Sequence, residues 1–326
     1  MARNKRLGSF ITKRVTGESF KAFIPPNLPP DPALNLKDLY HHIDRANQAL
    51  GELNCITDTI PNKALFIYMH VRKEALLSSQ IEGTQSSFSD LILFENNQKT
   101  NIKIDDIEEV SNYVRAMNYG LKRLKSGFPL CLRLLKEMHE VLLKGGRGST
   151  KKPGEFRISQ NWIGGTRPGN ALFVPPSPEK LPDLLKNLEN FLHDEKLPAL
   201  VKAGIAHLQF ETIHPFLDGN GRLGRLLITL LLWEQGLLND PILYLSLYLK
   251  QNRQLYYNLL QEVRTHGTWE TWLEFFLKGV VYTAKQTIQT TKKMNKLFDD
   301  DLAKINTLGK AKFSCVNTLE YLKKLP

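Results

Sequence analysis

The chain has 326 residues, 42% hydrophobic and 24% charged, proportions typical of a folded globular protein rather than a disordered or fibrous one. Its formal net charge of +11 lies mostly at the two ends, because residues 1–15 carry five basic and no acidic side chains and residues 285–326 carry nine lysines against four acids. The balanced middle argues against a basic nucleic-acid surface on the main body of the protein.

No stretch of about 18 uninterrupted apolar residues occurs, so the sequence predicts no membrane span. The basic start at residues 1–6 is not followed by the apolar core of a signal peptide. Cys55, Cys131 and Cys315 are widely separated and lack the spacing of metal ligands. We therefore expect free thiols and a cytoplasmic location.

Residues 1–35 are predicted to form an extended N-terminal arm, because Pro25–Pro30 is too rich in proline for a helix. Helical periodicity predominates after that point, and Gly145–Gly148 predicts a flexible turn. The predicted helices are Leu36–Leu53, Ala64–Ile81, Asp105–Leu124, Leu130–Leu143, Pro178–Leu192, Pro198–Ile213, Asn220–Gln235, Leu249–Thr265, Thr268–Thr290 and roughly Lys292–Ile305.

One segment within this helical pattern predicts β-structure. Trp162–Gly165 and Ala171–Val174 flank the turn residues Thr166–Asn170, which favours a short β-hairpin over 162–174. We expect it to be the only notable β element between residues 35 and 285. Such a hairpin can bind an extended segment of another protein by strand addition, although a purely structural role is equally compatible with the sequence alone.

The most informative segment is His214–Arg225, which reads His-Pro-Phe-Leu-Asp-Gly-Asn-Gly-Arg-Leu-Gly-Arg and lies between two predicted helices. Its glycines stand at the mouth of the second helix, where free backbone N–H groups and the helix dipole favour phosphate. Arg222 and Arg225 project from one side of the first turn, a placement that opposes the dipole unless an anion lies there. The segment therefore predicts an anion site.

The same segment contains groups suited to phosphate chemistry. Histidine can remove a proton near neutral pH, which makes His214 a candidate general base. Asp218 is the only acidic residue of the loop and a candidate ligand of Mg²⁺, which usually takes one or two protein carboxylates together with phosphate oxygens. Asn220 adds a side-chain donor beside the glycine backbone. By contrast, His207 lies within the preceding helix, and we interpret it as a packed residue outside the site.

His214–Arg225 matches, position by position, the signature His-Pro-Phe-x-(Asp/Glu)-Gly-Asn-Gly-Arg-x-x-Arg of the Fic family, whose typical activity is transfer of AMP from ATP to a hydroxyl of a target protein. The chain resembles the family over roughly residues 35 to 285. The resemblance implies a mainly α, Fic-type helical bundle with a short β-hairpin flap. Further similar segments are Gly154–Arg157, Asn161–Gly164 and Phe173–Pro176 in the flap, and Tyr256-Tyr257 and Trp269–Trp272 after the motif.

Residue roles follow from the resemblance. It implies that His214 is the base, that Asp218 holds Mg²⁺, and that Arg225 binds the terminal phosphate of ATP. It also implies that a target protein docks at the flap, residues 162–174. The nucleotide-binding residues implied in this way are Gly219, Asn220, Gly221, Arg222, Leu223, Gly224, Arg225 and, in the adenine pocket, Tyr257.

A second motif concerns regulation. Ser78–Gly83 fits the pattern (Ser/Thr)-x-x-x-Glu-(Gly/Asn), which resembles the inhibitory motif of many Fic proteins. Ser78 and Glu82 lie four residues apart on one helix face, and Gly83 is suited to end that helix. The resemblance implies an inhibitory helix over 64–83, in which Glu82 pairs with Arg225 and keeps it from the γ-phosphate. An ordinary solvated helix end is the alternative interpretation.

Residues 36–285 are thus predicted to form the catalytic region, and residues 286–326 a helical extension. Phe313, Val316, Leu319 and Leu322 have the spacing of an opening helix, such as the start of a truncated winged-helix domain. DNA would be a partner only if that domain followed. Homo-oligomerisation stays open.

The leading functional hypothesis is a self-inhibited protein adenylyltransferase that also modifies itself. One alternative is a nucleotide-sensing regulator whose ends bind DNA or a partner. Another is an enzyme that transfers a different phosphate-containing group.

Overall fold

The computed structural model describes residues 6–15, 17–96 and 104–322, and it is mainly helical, as the sequence predicts. A two-stranded antiparallel sheet near the N-terminus consists of β1 (Ser9–Val15) and β2 (Glu18–Ile24). The helices are α1 (Tyr40–Thr57), α2 (Lys63–Ile81), α3 (Phe88–Glu95), α4 (Ile104–Lys125), α5 (Leu132–Leu142), α6 (Leu181–Leu192), α7 (Ala199–Ile213), α8 (Asn220–Glu234), α9 (Ser246–Gln251), α10 (Arg253–His266), α11 (Trp269–Ile305) and α12 (Lys312–Leu322).

Helices α7 and α8 form the centre of the bundle. Residues 200–213 of α7 are all buried, as are most residues of α8, because both sequences are apolar nearly all round rather than on one face. Helix α8 contacts α7, α5, α4 and α2, while α11 packs along α1. The loop between α7 and α8 therefore lies on rigid, buried helices, which fixes the candidate site that it carries.

Two predicted helix boundaries are wrong. The single helix predicted over Leu249–Thr265 is divided at Asn252 into α9 and α10. The two helices predicted between Thr268 and Ile305 form one helix, α11, of 37 residues. Helix α11 contains a single interior glycine and no proline. Its backbone hydrogen bonds therefore continue through the polar stretch that suggested a break.

Helix α3 was not predicted. It begins with a capping box in which the Ser87 side chain accepts from the Asp90 backbone, and Asp90 accepts from the Ser87 backbone. Helix α12 is present at the position of the expected opening helix, with Leu319 buried and Phe313 exposed, whereas residues 323–326 and the Leu322 side chain lie outside the description. No helix among the described residues has the length and apolar character needed to cross a membrane.

The N-terminal arm is not simply extended. Its strands β1 and β2 pair over their full length, from Ser9 opposite Ile24 to Val15 opposite Glu18, and Gly17 turns the chain with φ +82°. The apolar residues that alternate in these strands pack against a segment far away in the sequence. The neighbouring proline-rich stretch does not indicate this contact. The residues that follow β2, including Pro25–Pro30, lack regular structure.

The flap is less regular than predicted. Residues 162–174 contain one isolated β-bridge, between Ile163 and Phe173, and a turn of 3₁₀ helix over Pro168–Asn170. The flap nevertheless continues into the N-terminal sheet, because the Phe23 N–H donates to the Val174 carbonyl at 2.9 Å. The flap is thus a minimal hairpin closed by one antiparallel bridge, and the β1–β2 pair, outside residues 35–285, is the sheet that the described residues form.

Candidate active site

His214 ends α7 in the left-handed backbone conformation, with φ 50° and ψ 61°. A non-glycine residue rarely adopts it, so surrounding contacts must hold it there. The buried guanidinium of Arg157 donates to the His214 carbonyl at 2.9 Å, to the Ile213 carbonyl at 3.3 Å and to the Pro176 carbonyl at 2.5 Å. Arg157 thus ties the flap to the backbone that presents His214.

The ring of His214 is set up to accept a proton. Its Nδ1 lies 3.4 Å from the Glu211 carbonyl oxygen, which can only accept, so the proton resides on Nδ1 and Nε2 keeps its lone pair. Burial, with the charges of Arg157 and Arg264, lowers the pKa of His214 to about 4. The side chain keeps part of its surface accessible at the cavity. A neutral, oriented imidazole is the form that a general base requires.

The loop after His214 is braced through its own amide groups. The Phe216 N–H donates to Asn220 Oδ1 at 2.9 Å, and Asn220 Nδ2 donates to the Phe216 carbonyl at 2.9 Å. Asn161 Nδ2 donates to the same carbonyl at 3.0 Å. The Asn220 side chain, assigned to phosphate from the sequence, therefore also closes the loop on itself.

A buried histidine fixes the backbone at Asp218. His139 stacks on Phe216 with ring centroids 3.7 Å apart, and its Nδ1 accepts from the Gly154 N–H at 2.9 Å. Its Nε2 therefore carries the proton and donates to the Asp218 carbonyl at 3.0 Å. Burial lowers the pKa of His139 to about 4, so it stays neutral and keeps this polarity.

Arg222 lies between two carboxylates. Its Nη1 is 3.2 Å from Glu109 Oε1 on α4, and its Nη2 is 3.7 Å from Asp218 Oδ1. Arg222 and Glu109 are both nearly inaccessible to solvent, whereas Asp218 is partly exposed. Burial raises the pKa of Glu109, and the Arg222 charge opposes that rise. The arrangement holds Arg222 in place while Asp218 still faces the cavity.

Arg225, one turn further along α8, is held by the end of α2. Its Nε donates to Ser78 Oγ at 2.7 Å, and its Nη2 donates to the Ser78 carbonyl at 2.9 Å and to Glu82 Oε1 at 2.7 Å. Burial acts to raise the pKa of Glu82, but the charge and hydrogen bond of Arg225, together with the charge of Arg222, outweigh it and the pKa lies below its usual value. The ion pair implied by the resemblance is thus present. Gly83 follows with φ +103°, where α2 was expected to end.

Helix α2 is also anchored in the core. The wholly buried Glu74 accepts from the Ser246 N–H at 3.1 Å, from the Ser246 hydroxyl at 2.5 Å and from the Tyr113 hydroxyl at 3.2 Å. These bonds join α2 to α9 and α4. The last turn of α2, which carries Ser78 and Glu82, is therefore delivered by a fixed helix.

The candidate residues surround a cavity of about 110 Å³. It is lined by Glu82, Arg147, His214, Leu217, Asp218, Gly219, Asn220, Gly221 and Arg222. The Glu82 carboxylate lies against Gly221 at this wall, so that a Cβ there would displace Oε1. The structure therefore brings together most of the predicted site residues.

Four of the predicted nucleotide-binding residues are not among those that line this cavity, namely Leu223, Gly224, Arg225 and Tyr257. Leu223 is fully buried, and Gly224 packs against the Glu211 side chain, because the second turn of α8 faces the core. Their part in nucleotide binding, implied by the resemblance, stays a prediction. Tyr257 is partly exposed on α10 beside Arg253, outside the lining of the cavity.

His207 is a packed residue, as predicted. It is fully buried, its Nδ1 donates to the Gly224 carbonyl at 2.9 Å, and its Nε2 accepts from the Tyr256 hydroxyl at 2.8 Å. Burial lowers its pKa to about 3, so it is neutral. It secures α7, α8 and α10 beneath the site.

Sequence reasoning missed four residues that shape the site. The sequence places Arg157 in a flap segment but gives it no role. It does not mark His139, Glu109 or Arg147 as part of the site. Each lies far from the motif along the chain and looks like an ordinary helix or turn residue. A charged side chain at an inward position of a helix was the available signal for Glu109, because such residues are rarely buried without a partner.

Two protein-family models match the chain. The model of the Fic/DOC family N-terminal region matches residues 40–122, and the model of the Fic/DOC family matches residues 129–232, so together they span more than half of the sequence. The chain belongs to the Fic/DOC family. The first match contains the helix that bears Glu82, and the second contains the His214–Arg225 signature.

Curated relatives of this Fic/DOC protein resemble about half of it. The protein adenylyltransferase Fic of Drosophila virilis is 34% identical over 161 residues, covering 48% of this chain and 30% of the relative. A probable protein adenylyltransferase of Aquifex aeolicus (strain VF5) is 32% identical over 178 residues, covering 51% of each. The chain thus matches about half or less of the length of these relatives.

Solved structures support the same fold. A Fic family protein from Desulfovibrio desulfuricans G20 superposes with a TM-score of 0.66 at 21% identity, covering 79% of this chain and 76% of that one. Fic-1 from C. elegans superposes with a TM-score of 0.57 at 23% identity, covering 78% and 72%. The mainly helical Fic fold is therefore confirmed.

Proposed function

We propose that this Fic/DOC protein transfers AMP from ATP to a hydroxyl side chain of a target protein, and to itself. The observation that carries the proposal is the neutral imidazole of His214, whose Nε2 lone pair faces a cavity walled by a helix N-terminus and Arg222. Base and anion cradle are contiguous in the loop between α7 and α8. Relatives named protein adenylyltransferases support the choice of AMP as the group transferred.

The proposed reaction is an in-line displacement of pyrophosphate at the α-phosphorus of ATP. His214 Nε2 takes the proton of the target hydroxyl as its oxygen attacks the α-phosphorus. The new O–P bond forms while the bond from the α-phosphorus to the bridging oxygen of the β-phosphate breaks, and pyrophosphate leaves. The N–H groups at the start of α8 and the Arg222 guanidinium would stabilise the negative charge on the phosphates.

Asp218 would hold Mg²⁺ in this proposal. Its carboxylate reaches the cavity from the loop, and Gly148, with φ +89°, leaves room beside Oδ2 because a Cβ there would lie only 3.1 Å away. Among the described residues no group of three or more His, Cys, Asp or Glu side chains could hold a metal, which fits an ion shared with ATP phosphates. Mg²⁺ would neutralise charge on the phosphate oxygens and orient them.

We propose further that the enzyme inhibits itself through Glu82. Arg225 cannot lose its charge, so it must pair with either the Glu82 carboxylate or a phosphate of ATP. In the present arrangement Glu82 occupies it and also lines the cavity, where a second negative group repels phosphate. The cavity of about 110 Å³ is also small for a triphosphate.

The flap is the proposed docking surface for the target protein. Apolar side chains are unusually exposed in the flap and just before it. Leu172 is 83% exposed and Trp162 is also exposed, and Ile158, which precedes the flap, is 78% exposed. Their position beside the Arg157-braced loop would present a bound segment to His214. Exposed apolar residues clustered near a site are typical of a protein-binding surface.

Transfer of the α-phosphate tests the proposal. Purified Glu82→Gly protein, incubated with MgATP labelled on the α-phosphate, should incorporate label into itself or into proteins of a lysate. His214→Ala in the same background should bind ATP but incorporate at least about 100-fold less label. Binding of ATP without incorporation by the Glu82→Gly protein would instead support the nucleotide-sensing function. Label incorporated only from γ-labelled ATP would show that another group is transferred.

A further inference from the structure

The turn before the flap brings an additional arginine to the candidate active site. Gly145, Gly146 and Gly148 all adopt positive φ angles, of 76°, 59° and 89°. A run of left-handed conformations is readily accessible only to glycine, so these residues fold the chain tightly around the intervening residue. That residue is Arg147, which lines the same cavity as His214, Asp218 and Arg222.

The turn is bonded to α4 at its first end and closed by a local backbone bond at its second. Asn112 Nδ2 on α4 donates to the Lys144 carbonyl at 2.6 Å, and the Lys151 N–H donates to the Gly148 carbonyl at 2.8 Å. At Gly148 the backbone passes so close to Asp218 that a Cβ would lie 3.1 Å from Oδ2. Arg147 is therefore placed at the cavity by a defined turn.

Arg147 differs from the two arginines of the signature in its pairing. Arg225 is bonded to Ser78 and Glu82, and Arg222 lies against Glu109. Within the described part of the chain, Arg147 forms neither a hydrogen bond nor an ion pair, although its charge acts on Glu109. A guanidinium has five N–H donors in a planar fork suited to phosphate oxygens, and here those donors are uncommitted.

The charges around the cavity also leave room for a further cationic contact. Three carboxylates act there, those of Glu82, Asp218 and Glu109, against the guanidinium groups of Arg147, Arg222 and Arg225. These six charges cancel, so a bound nucleotide brings negative charge that mobile cationic groups must meet. Arg147 is exposed and can move toward it, whereas the side chains of Arg222 and Arg225 are buried in ion pairs.

We infer that Arg147 is a phosphate-binding residue of this site, which contacts the phosphates beyond the α-phosphate and then the pyrophosphate that leaves. Only the contact with the leaving pyrophosphate rests on the proposed AMP transfer. As the bond from the α-phosphorus to the bridging oxygen breaks, negative charge accumulates on that oxygen, and Arg147 stabilises it from the turn before the flap. The turn thereby acts as a third cationic contact outside the signature.

Equilibrium titration with AMP, ADP, ATP and pyrophosphate tests the inference without relying on transfer. The comparison uses Glu82→Gly protein, Arg147→Ala in that background, and Lys151→Ala as a matched loss of positive charge on the same turn. Arg147→Ala should weaken ATP and pyrophosphate binding about tenfold, because a charged hydrogen bond to phosphate is lost. AMP binding should change less than about twofold, and Lys151→Ala should resemble the parent.

Two outcomes would overturn the inference. If Arg147→Ala weakens AMP and ATP equally, the turn serves the shape of the pocket rather than the distal phosphates. If it leaves ATP binding unchanged, Arg147 does not contact nucleotide. Arg147→Lys should recover part of the lost ATP affinity, since it restores the charge without the fork. A protein that transfers no AMP would still give a clear result here, so the two proposals fail separately.

Discussion

Glu82 and Arg225 stand 143 residues apart in the sequence, yet Arg225 Nη2 lies 2.7 Å from Glu82 Oε1. The same guanidinium is bonded to the hydroxyl and the carbonyl of Ser78, one helical turn before Glu82. The arginine that could bind a terminal phosphate is therefore held through its Nε and Nη2 by a single turn of α2. This contact makes the signature and the inhibitory motif parts of one site.

Replacing Glu82 with glycine should raise AMP transfer. The change frees Nη2 of Arg225 and removes a negative charge from the cavity wall, so the triphosphate can bind in line with the incoming hydroxyl. Because small errors in position can cost on the order of 100-fold in rate, we expect a gain of about that size. Incorporation of α-labelled ATP per molecule of enzyme measures it.

The double variant Glu82→Gly with Arg225→Ala should lose the gain, which separates a freed arginine from a mere loosening of the helix end. Glu195→Gly, in the exposed loop after α6, serves as a matched loss of a carboxylate away from the cavity. A normally folded Glu82→Gly protein that binds ATP and labels no faster than the parent would remove the inhibitory assignment.

The ionisation of His214 should be shifted far toward acid. Its pKa lies at about 4 because burial and two arginines disfavour the charged imidazole, so the neutral base persists as the pH falls through 6. In Glu82→Gly protein, transfer should not show a loss with a midpoint near 6.5 that is due to this residue. A ¹³C-edited titration of histidine, with His214→Asn to assign the signal, gives the pKa directly. A midpoint between 6 and 7 would contradict the burial argument.

The central helices and the loop between them were predictable because their information is local. An apolar run predicts α8, and the glycines and arginines of the signature all lie within the one segment His214–Arg225. The contacts that complete the site are not local. Arg157 reaches His214 across 57 residues and His139 reaches Asp218 across 79, and nothing in the neighbouring sequence of either marks its partner.

The failures at the N-terminus and in α11 have the same origin. Strand β2 is stabilised by the flap, through Phe23 and Val174, so its own sequence gives only a short alternation beside prolines. In α11 the predicted break near Thr291 is absent, because that residue is buried and its hydroxyl bonds to the Thr287 carbonyl within the helix. Tertiary contacts decide both cases.

Arg157→Lys should lower the rate of transfer without a comparable loss of nucleotide affinity. Lysine keeps the charge but cannot bond the His214, Ile213 and Pro176 carbonyls together, so the left-handed backbone at His214 loses its brace. We expect kcat in the Glu82→Gly background to fall about 100-fold, with ATP affinity within about threefold.

The same variant should reduce the free energy of unfolding by about 1–3 kcal/mol, because a buried carbonyl loses its donor. Urea unfolding measures this, and Arg167→Lys on the exposed part of the flap is the matched control. An equal loss of ATP binding and rate would assign Arg157 to the pocket as a whole rather than to His214.

Stability should fall as the solution is acidified from pH 6.5 toward 4. Four buried histidines have folded-state pKa values of about 3 to 4, namely His70, His139, His207 and His214. At these four side chains the unfolded chain binds protons in this window that the folded protein does not, and the carboxyls whose pKa values burial raises, Glu74, Glu109 and Glu211, offset this only in part. The free energy of unfolding should therefore rise with pH.

The thermal midpoint should therefore be clearly lower at pH 5 than at pH 7.5. His70→Phe should narrow that difference, whereas His266→Gln at an exposed position should leave it unchanged. If the midpoint were flat between these pH values in the parent, the buried histidines would have to be accommodated in charged form.

The anchoring of α2 by Glu74 means that Arg225 is released by movement of the Glu82 side chain and not by movement of the helix. Because Glu74 is bonded to Ser246 and Tyr113 in the core, lifting α2 from the bundle would require breaking a buried network. Glu82, by contrast, retains about a third of its side-chain surface in solvent. Turning it away from Arg225 needs only a rotamer change, and such motions at accessible positions take picoseconds to nanoseconds rather than the microseconds to milliseconds of helix displacement. The response of this protein to nucleotide or partner would thus be limited by encounter, not by rearrangement of the fold.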